Sequence, residues 1–361
     1  SIAWEMGDQG HLTLDEYEEL ATDEYYGNIG WIVPAKSTAA AVYPPGTAAL
    51  AAPLYAIWPA EAVVQTVYGT NVAAPAVDIP IPPLAPAAIT SAVVAAIAVG
   101  LLALVFREFV SGHLAVVSAY VVGLGTGVWP VAADALWQHG PAIMWITAGM
   151  LLSVRHHAVS GLAFGAAILT RPHTALVAAG NGLWQSWKAR SIRPAALIGV
   201  GSFVGLGTLV WLNNQLFGSP SITGGDGDRF AERMASLDLL EYAGNILLVF
   251  VHPMRGVLVY SPFLILLLPG LRSAWRAAPA WVRGSAVGGV LYLLLQLKAE
   301  GYSGGSGFWG YRYPLETLAA TAPLLLLSYR EWVVDQSALI RKVFLWLVAA
   351  SLLLTAIGAV I

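Results

Sequence analysis

The sequence predicts an all-α fold, a polytopic transmembrane helical bundle with extracytoplasmic loops and short interfacial helices, and three observations carry that prediction. Of 361 residues, 57% are hydrophobic and only 11% are charged, against roughly 25% charged in soluble domains. From Ala87 onward apolar runs recur, several approaching the roughly 20 residues a helix needs to cross a bilayer. These runs lack the alternation of a barrel, and because hydrocarbon satisfies no backbone hydrogen bond, they must form helices. The absence of cysteine excludes disulfides and thiolate metal sites.

Taken in order, residues 1–86 read as a first extracytoplasmic loop and 87–361 as the transmembrane domain. Ser1–Glu24 holds Glu5, Asp8, Asp15, Glu16, Glu18, Glu19, Asp23 and Glu24, an acidic stretch that has to lie in water. The sequence begins without Met and its first 45 residues resemble no signal peptide. Such a loop needs something to carry it across, so a further transmembrane helix is expected upstream of Ser1. Pro44-Pro45-Gly46 cannot continue a helix but can precede one, which places a short interfacial helix at about Thr47–Trp58. Pro75, Pro80, Pro82, Pro83 and Pro86 make 73–86 an extended connector.

About ten spans follow, near 87–106, 113–128, 141–154, 158–170, 173–187, 195–217, 257–271, 284–298, 314–328 and 343–361. Basic residues order them. If the acidic N-terminus is outside, the inner loops collect Arg107, Arg155, Lys188, Arg190, Arg193, Arg272, Arg276, Arg283, Arg330, Arg341 and Lys342 against Glu108, Glu331 and Asp335 alone. That bias is the positive-inside pattern. The outer face then gathers 1–86, 128–140, 170–173, 218–256 and 298–313, and chemistry is expected there, on the extracytoplasmic face of the inner (plasma) membrane.

Asp8, flanked by Gly7 and Gly10, is the leading candidate for a general base, since placement near a substrate hydroxyl matters first and acidity second; the alternative is a solvated loop acid. Glu5 stands beside it as a substrate-binding candidate. Asp15, Glu16, Glu18 and Glu19 read as the wet face of a short helix. Arg171, Arg255 and Arg312 each edge an apolar segment on the outer face, where arginine forks meet phosphate oxygens or snorkel to headgroups. His139, His252, Trp309 and Tyr313 are further substrate-binding candidates, and His173 belongs to the same outer inventory. The aromatic rings serve equally as an interfacial belt or as sugar-stacking surfaces. Histidines with outer acids could hold a divalent metal, but no HExxH or other close ligand spacing marks a metal site. Gly301–Gly310 lacks the strand and the Gly-Lys-Ser/Thr of a phosphate loop, so neither a nucleotide nor a nucleic acid partner is expected.

The ordered set of Gly7-Asp8, Tyr43-Pro44-Pro45-Gly46-Thr47-Ala48-Ala49-Leu50, Leu136-Trp137-Gln138-His139-Gly140-Pro141, Leu169-Thr170-Arg171-Pro172, Arg255-Gly256 with Tyr260-Ser261-Pro262, and Trp309-Gly310-Tyr311-Arg312-Tyr313 resembles membrane glycosyltransferases of the GT-C superfamily. The likeness is to the dolichyl-phosphate-mannose protein mannosyltransferase and aminoarabinose transferase type. It implies transfer of a sugar from a polyprenyl-phosphate carrier to a lipid, glycan or protein acceptor in the cell envelope. By position Asp8 matches the acid that activates the acceptor, and Arg255 and Arg312 match cations that meet the donor phosphate. Gln9 stands where family members often carry Glu, which weakens any metal site built on an acidic pair. The competing reading is a lipid or sugar-lipid transporter or flippase, whose mark would be charged or broken helices meeting inside the bilayer.

Overall fold

A computed structural model describes residues 2–21, 31–68, 76–236 and 238–360. Asp23 and Glu24 of the acidic stretch lie outside the described residues. The chain is 71% helix and 5% strand, so the helical expectation holds while two small sheets depart from an all-α reading. Four helices are long and apolar enough to cross a membrane.

The N-terminal segment folds as a cap. A helical turn, Ile2–Trp4, runs into a π-helical turn, Glu5–Gln9, and a 3₁₀ helix follows at Asp15–Ala21. The 3₁₀ helix buries Tyr17 and Leu20 and leaves Asp15, Glu16, Glu18 and Glu19 exposed, the wet face the acids predict. β1 (Ile32–Pro34) and β2 (Ala39–Ala41) pair antiparallel, as do β3 (Val63–Val67) and β4 (Val77–Ile81). Val63, Val64, Thr66 and Val67 fit a pleated surface, and β4 turns Val77 and Ile79 into a core shared with Leu14, Tyr17, Leu20, Ile32 and Ala39. The Tyr17 hydroxyl donates to the Pro80 carbonyl at 2.6 Å and closes this unit. Between the sheets, α1 (Gly46–Ala56) buries Ala48, Ala51 and Tyr55 against the first turn, while Gly46 packs on the backbone of Leu169. The predicted interfacial helix is therefore docked on the end of the bundle.

The bundle comprises α2 (Ala85–Phe106), α3 (Gly112–Leu124), α4 (His139–Ser153), α5 (His157–Thr170), α6 (Ala175–Ala189) and α7 (Arg193–Phe217). It continues with α8 (Gly227–Ala235), α9 (Leu239–Val251), α10 (Val257–Tyr260), α11 (Leu271–Ala277), α12 (Ala280–Glu300), α13 (Leu315–Ser328) and α14 (Ala338–Val360). The long apolar helices are α2, α7, α12 and α14.

α5 packs on α4 and α7, and α6 on α7 and α12. Small residues set these crossings, as is common where no hydrophobic drive separates helix from lipid. A Cβ on Gly205 of α7 would overlap the Gly165 carbonyl of α5, and one on Gly284 of α12 would overlap the Gly180 carbonyl of α6. Buried hydrogen bonds pin the same packing: Ser160 Oγ donates to the Gly149 carbonyl at 2.8 Å, Asn181 Nδ2 to Ser285 Oγ at 2.8 Å and Thr317 Oγ1 to the Gly289 carbonyl at 2.7 Å.

Two expected features differ. The span predicted at 257–271 is broken into α10, a 3₁₀ stretch at Pro262–Leu267 and α11. Ser261, at φ −131° and ψ 61°, precedes a proline that supplies no N–H, so a helix cannot run through. The outer segment read as a loop at 218–256 instead contains α8 and α9, with Asp238 capping α9 through the Glu241 amide at 2.8 Å.

Candidate functional site

The segments assigned to one face by the charge pattern converge at one end of the bundle. They enclose a cavity of about 500 Å³. Tyr43 and Pro44 come from the cap, Trp137, Gln138 and His139 from the start of α4, and Arg171 and His173 from the turn between α5 and α6. Asn213 of α7, Thr223, Phe230 and Arg233 around α8, Gln296 and Glu300 of α12, and Arg312 and Tyr313 before α13 complete the lining.

Arg312 is the cation with donors to offer. Its guanidinium carbon lies 4.7 Å from the centre of the Trp137 ring and 5.1 Å from those of both Phe308 and Tyr313. These aromatic faces hold the planar group in place. Its Nε is buried without a hydrogen-bond partner, and no ion pair to Arg312 forms among the described residues.

Arg171 is differently placed. It is 8% exposed, and its Nε lies 3.3 Å from Glu316 Oε1 while Nη2 donates to Gln296 Oε1 at 2.9 Å. His139 Nδ1 lies 2.8 Å from the same Glu316 oxygen. A buried carboxylate is thus met by one guanidinium and one imidazole, the condition under which an interior charge is tolerated. Arg233 pairs with Glu300 on the opposite wall.

The remaining candidates sit elsewhere. Asp8 is exposed and bonded to Gln9 Nε2 at 2.7 Å, in a separate recess with Trp4, Tyr55, Trp58 and Glu61. That recess shares no lining residue with the cavity. Glu5 is 1% exposed within the cap, 3.6 Å from His11 Nε2. Burial, with Glu16 next in effect, pushes its carboxyl up to about 7.

Arg255 has most of its donors occupied. Nη1 donates to the carbonyls of Phe308 at 2.8 Å and Gly310 at 3.0 Å, and Nη2 to that of Gly305 at 3.1 Å. It clasps a loop in which Gly301, Gly304, Gly305, Gly307 and Gly310 all take positive φ, a conformation that favours glycine. His252 accepts from the Met254 amide at 3.2 Å and lies 5.0 Å from the Tyr302 ring. Trp309 Nε1 donates to the Leu354 carbonyl of α14 at 3.0 Å, so its polar edge faces that helix.

Of the sequence candidates, Arg171, Arg312, His139 and Tyr313 line the cavity, and Asp8, Glu5, Arg255, His252 and Trp309 do not. Glu316 and Gln296 escape a reading of spacing, because Glu316 is a lone acid in an apolar helix and its imidazole partner is 177 residues away. Among the described residues no group of three or more His, Asp or Glu side chains comes together to hold a metal ion. Compared with known proteins, the chain matches no family model, no curated protein and no solved structure.

Proposed function

We propose that the protein is a membrane glycosyltransferase that moves a sugar from a polyprenyl-phosphate donor to an acceptor at one membrane face. The observation that supports this most is Arg312, a guanidinium set among three aromatic rings, with a buried Nε that no group among the described residues meets. Guanidinium forks suit phosphate oxygens, and the adjoining rings suit a sugar face. Polyprenyl phosphate leaves readily once its charge is met, so positioning, one base and fixed positive charge suffice. In this reading Arg312 meets the donor phosphate, Tyr313 and Trp137 flank the sugar, and Arg171 adds positive potential from behind. Arg255 acts through the glycine loop it clasps.

A second reading, a sugar-lipid transporter, is favoured by two observations: the interruption at 257–277 and the buried ion pair of Arg171 and Glu316 where helix ends meet. One experiment separates them. Purified protein in proteoliposomes is given a radiolabelled polyprenyl-phosphate sugar with membrane-lipid, glycan or peptide acceptors, and both product formation and donor movement between leaflets are followed. Glycosylated product that requires Arg312 supports the transferase; donor movement without product supports the transporter.

A further inference from the structure

We infer that His139 takes the proton of the attacking hydroxyl inside the cavity and that Glu316 positions it to do so. The inference rests on the transferase reading and names the base that reading requires. Asp8 opens on another recess, so the base has to come from groups lining the same cavity as Arg312. Glu300 pairs with Arg233, and Glu316 lies behind the wall, outside the cavity lining. The imidazoles of His139 and His173 remain.

His139 has its tautomer fixed. Glu316 Oε1 is held as an acceptor beside the Arg171 guanidinium at 3.3 Å, so the Nδ1 that meets it at 2.8 Å carries the hydrogen and Nε2 carries the lone pair. Arg171 Nη1 lies 3.4 Å from Nδ1 and 3.3 Å from Nε2. In the ring plane, a point equidistant from both nitrogens at that range would collide with the Cε1–H. The guanidinium nitrogen therefore sits over the imidazole face and not in line with the Nε2 lone pair, and His139, though 1% exposed, forms part of the cavity lining. Among the described residues His173 has no such orienting partner; it stacks on Phe230 at 5.6 Å.

The charged and titratable groups around His139 are Glu316 from α13, Arg171 from the turn after α5, His173 beyond it, and Arg312 and Tyr313 from the loop before α13. Two cations and one carboxylate keep the empty site cationic, and a bound phosphate brings the negative charge that favours an imidazolium. The base is thus strengthened by the donor it serves. In the step itself, the acceptor oxygen attacks the anomeric carbon and its proton passes to Nε2. The bond from carbon to phosphate oxygen breaks, its electron pair leaves with the lipid phosphate toward Arg312, and the imidazolium, held by Glu316, later releases the proton to water.

The test uses full-length protein in nanodiscs with a polyprenyl-phosphate sugar. His139→Ala is expected to lower kcat by about 100-fold or more, the usual contribution of a general base, with donor KM little changed, and added imidazole is expected to restore part of the turnover. His139→Gln, which keeps a polar side chain, should not restore it. Glu316→Asp should retain more turnover than Glu316→Gln and shift the acidic limb of the kcat profile, which a purely structural carboxylate would leave in place. Unchanged kcat in folded His139→Ala, or loss of turnover in Asp8→Asn with His139→Ala unaffected, would overturn the inference while leaving the transferase reading intact. Absence of transfer by the unaltered protein with every donor and acceptor class would overturn both.

Discussion

Replacing Glu5 with Gln tests the physical account of the cap. The Glu5 carboxyl is 1% exposed, and among the described residues Oε1 has no partner while Oε2 lies 3.6 Å from the His11 imidazole. Burial raises its proton affinity most, followed by repulsion from Glu16, with His11 offsetting part and Asp15 adding a smaller push. The rise from the ordinary 4.5 to about 7 corresponds to roughly 3 kcal/mol at about 1.36 kcal/mol per tenfold. The sign follows from linkage: the folded cap holds the proton more tightly than the unfolded one. The stabilisation is fully present below about 4.5 and is lost as pH rises through about 7. Hydrogen exchange of the peptide covering residues 2–20, corrected for intrinsic rates, reads the opening equilibrium. The wild-type cap should open about 100-fold more often at pH 8.5 than at pH 4.5, whereas Glu5→Gln, neutral and nearly isosteric, should give a flat profile. A Glu5→Gln cap with the same pH dependence as wild type would refute the reasoning.

Three further outcomes are expected. Arg312→Ala should weaken binding of a polyprenyl phosphate by about 10- to 100-fold, the range for one charge-assisted contact set, measured by titration in nanodiscs; unchanged affinity would remove Arg312 from the phosphate. Glu316→Gln should cost about 3–5 kcal/mol by leaving the Arg171 guanidinium buried without its carboxylate, and Glu316→Gln combined with Arg171→Met should recover part of that loss in thermal unfolding. Arg255→Ala should increase exchange of the 301–310 amides and raise donor KM while leaving the helices protected, which native-state exchange and steady-state kinetics report.

The grouping of the cavity-lining segments at one end of the bundle was legible because positive charge is partitioned by loop, and that bias needs no exact helix boundary. It grouped Tyr43, His139, Arg171 and Arg312 on one face, and these residues share a cavity. What charge bias cannot say is which groups on a face touch. Asp8 and Arg255 have the right residue types, but the π turn carries Asp8 to its own recess and the glycine loop occupies Arg255. Glu316 was visible only as an acid near a helix end; its meaning depends on Arg171 and His139, which tertiary packing brings to it. The strands escape a periodicity reading because β3 is a five-residue valine-rich run and β4 falls in a proline-rich stretch that reads as an extended connector. α9 went unread because Glu241 and Asn245 interrupt an otherwise apolar segment.

The glycine-lined crossings give the cavity one stiff side and one compliant side. Where α5 meets α7 and α6 meets α12, backbone packs closely on backbone, so neither helix of a pair can slide past the other without a clash. Arg171, Asn213 and Gln296 are carried at the ends of these helices or in the turn beside them, and they keep fixed spacings. Arg312 and Tyr313, by contrast, follow a glycine-rich loop tied down by hydrogen bonds from one arginine to three carbonyls. In the proposed transferase reading a bulky lipid-linked donor would enter from the loop side, past the segment that Arg255 and the Trp309 bond to Leu354 hold in place.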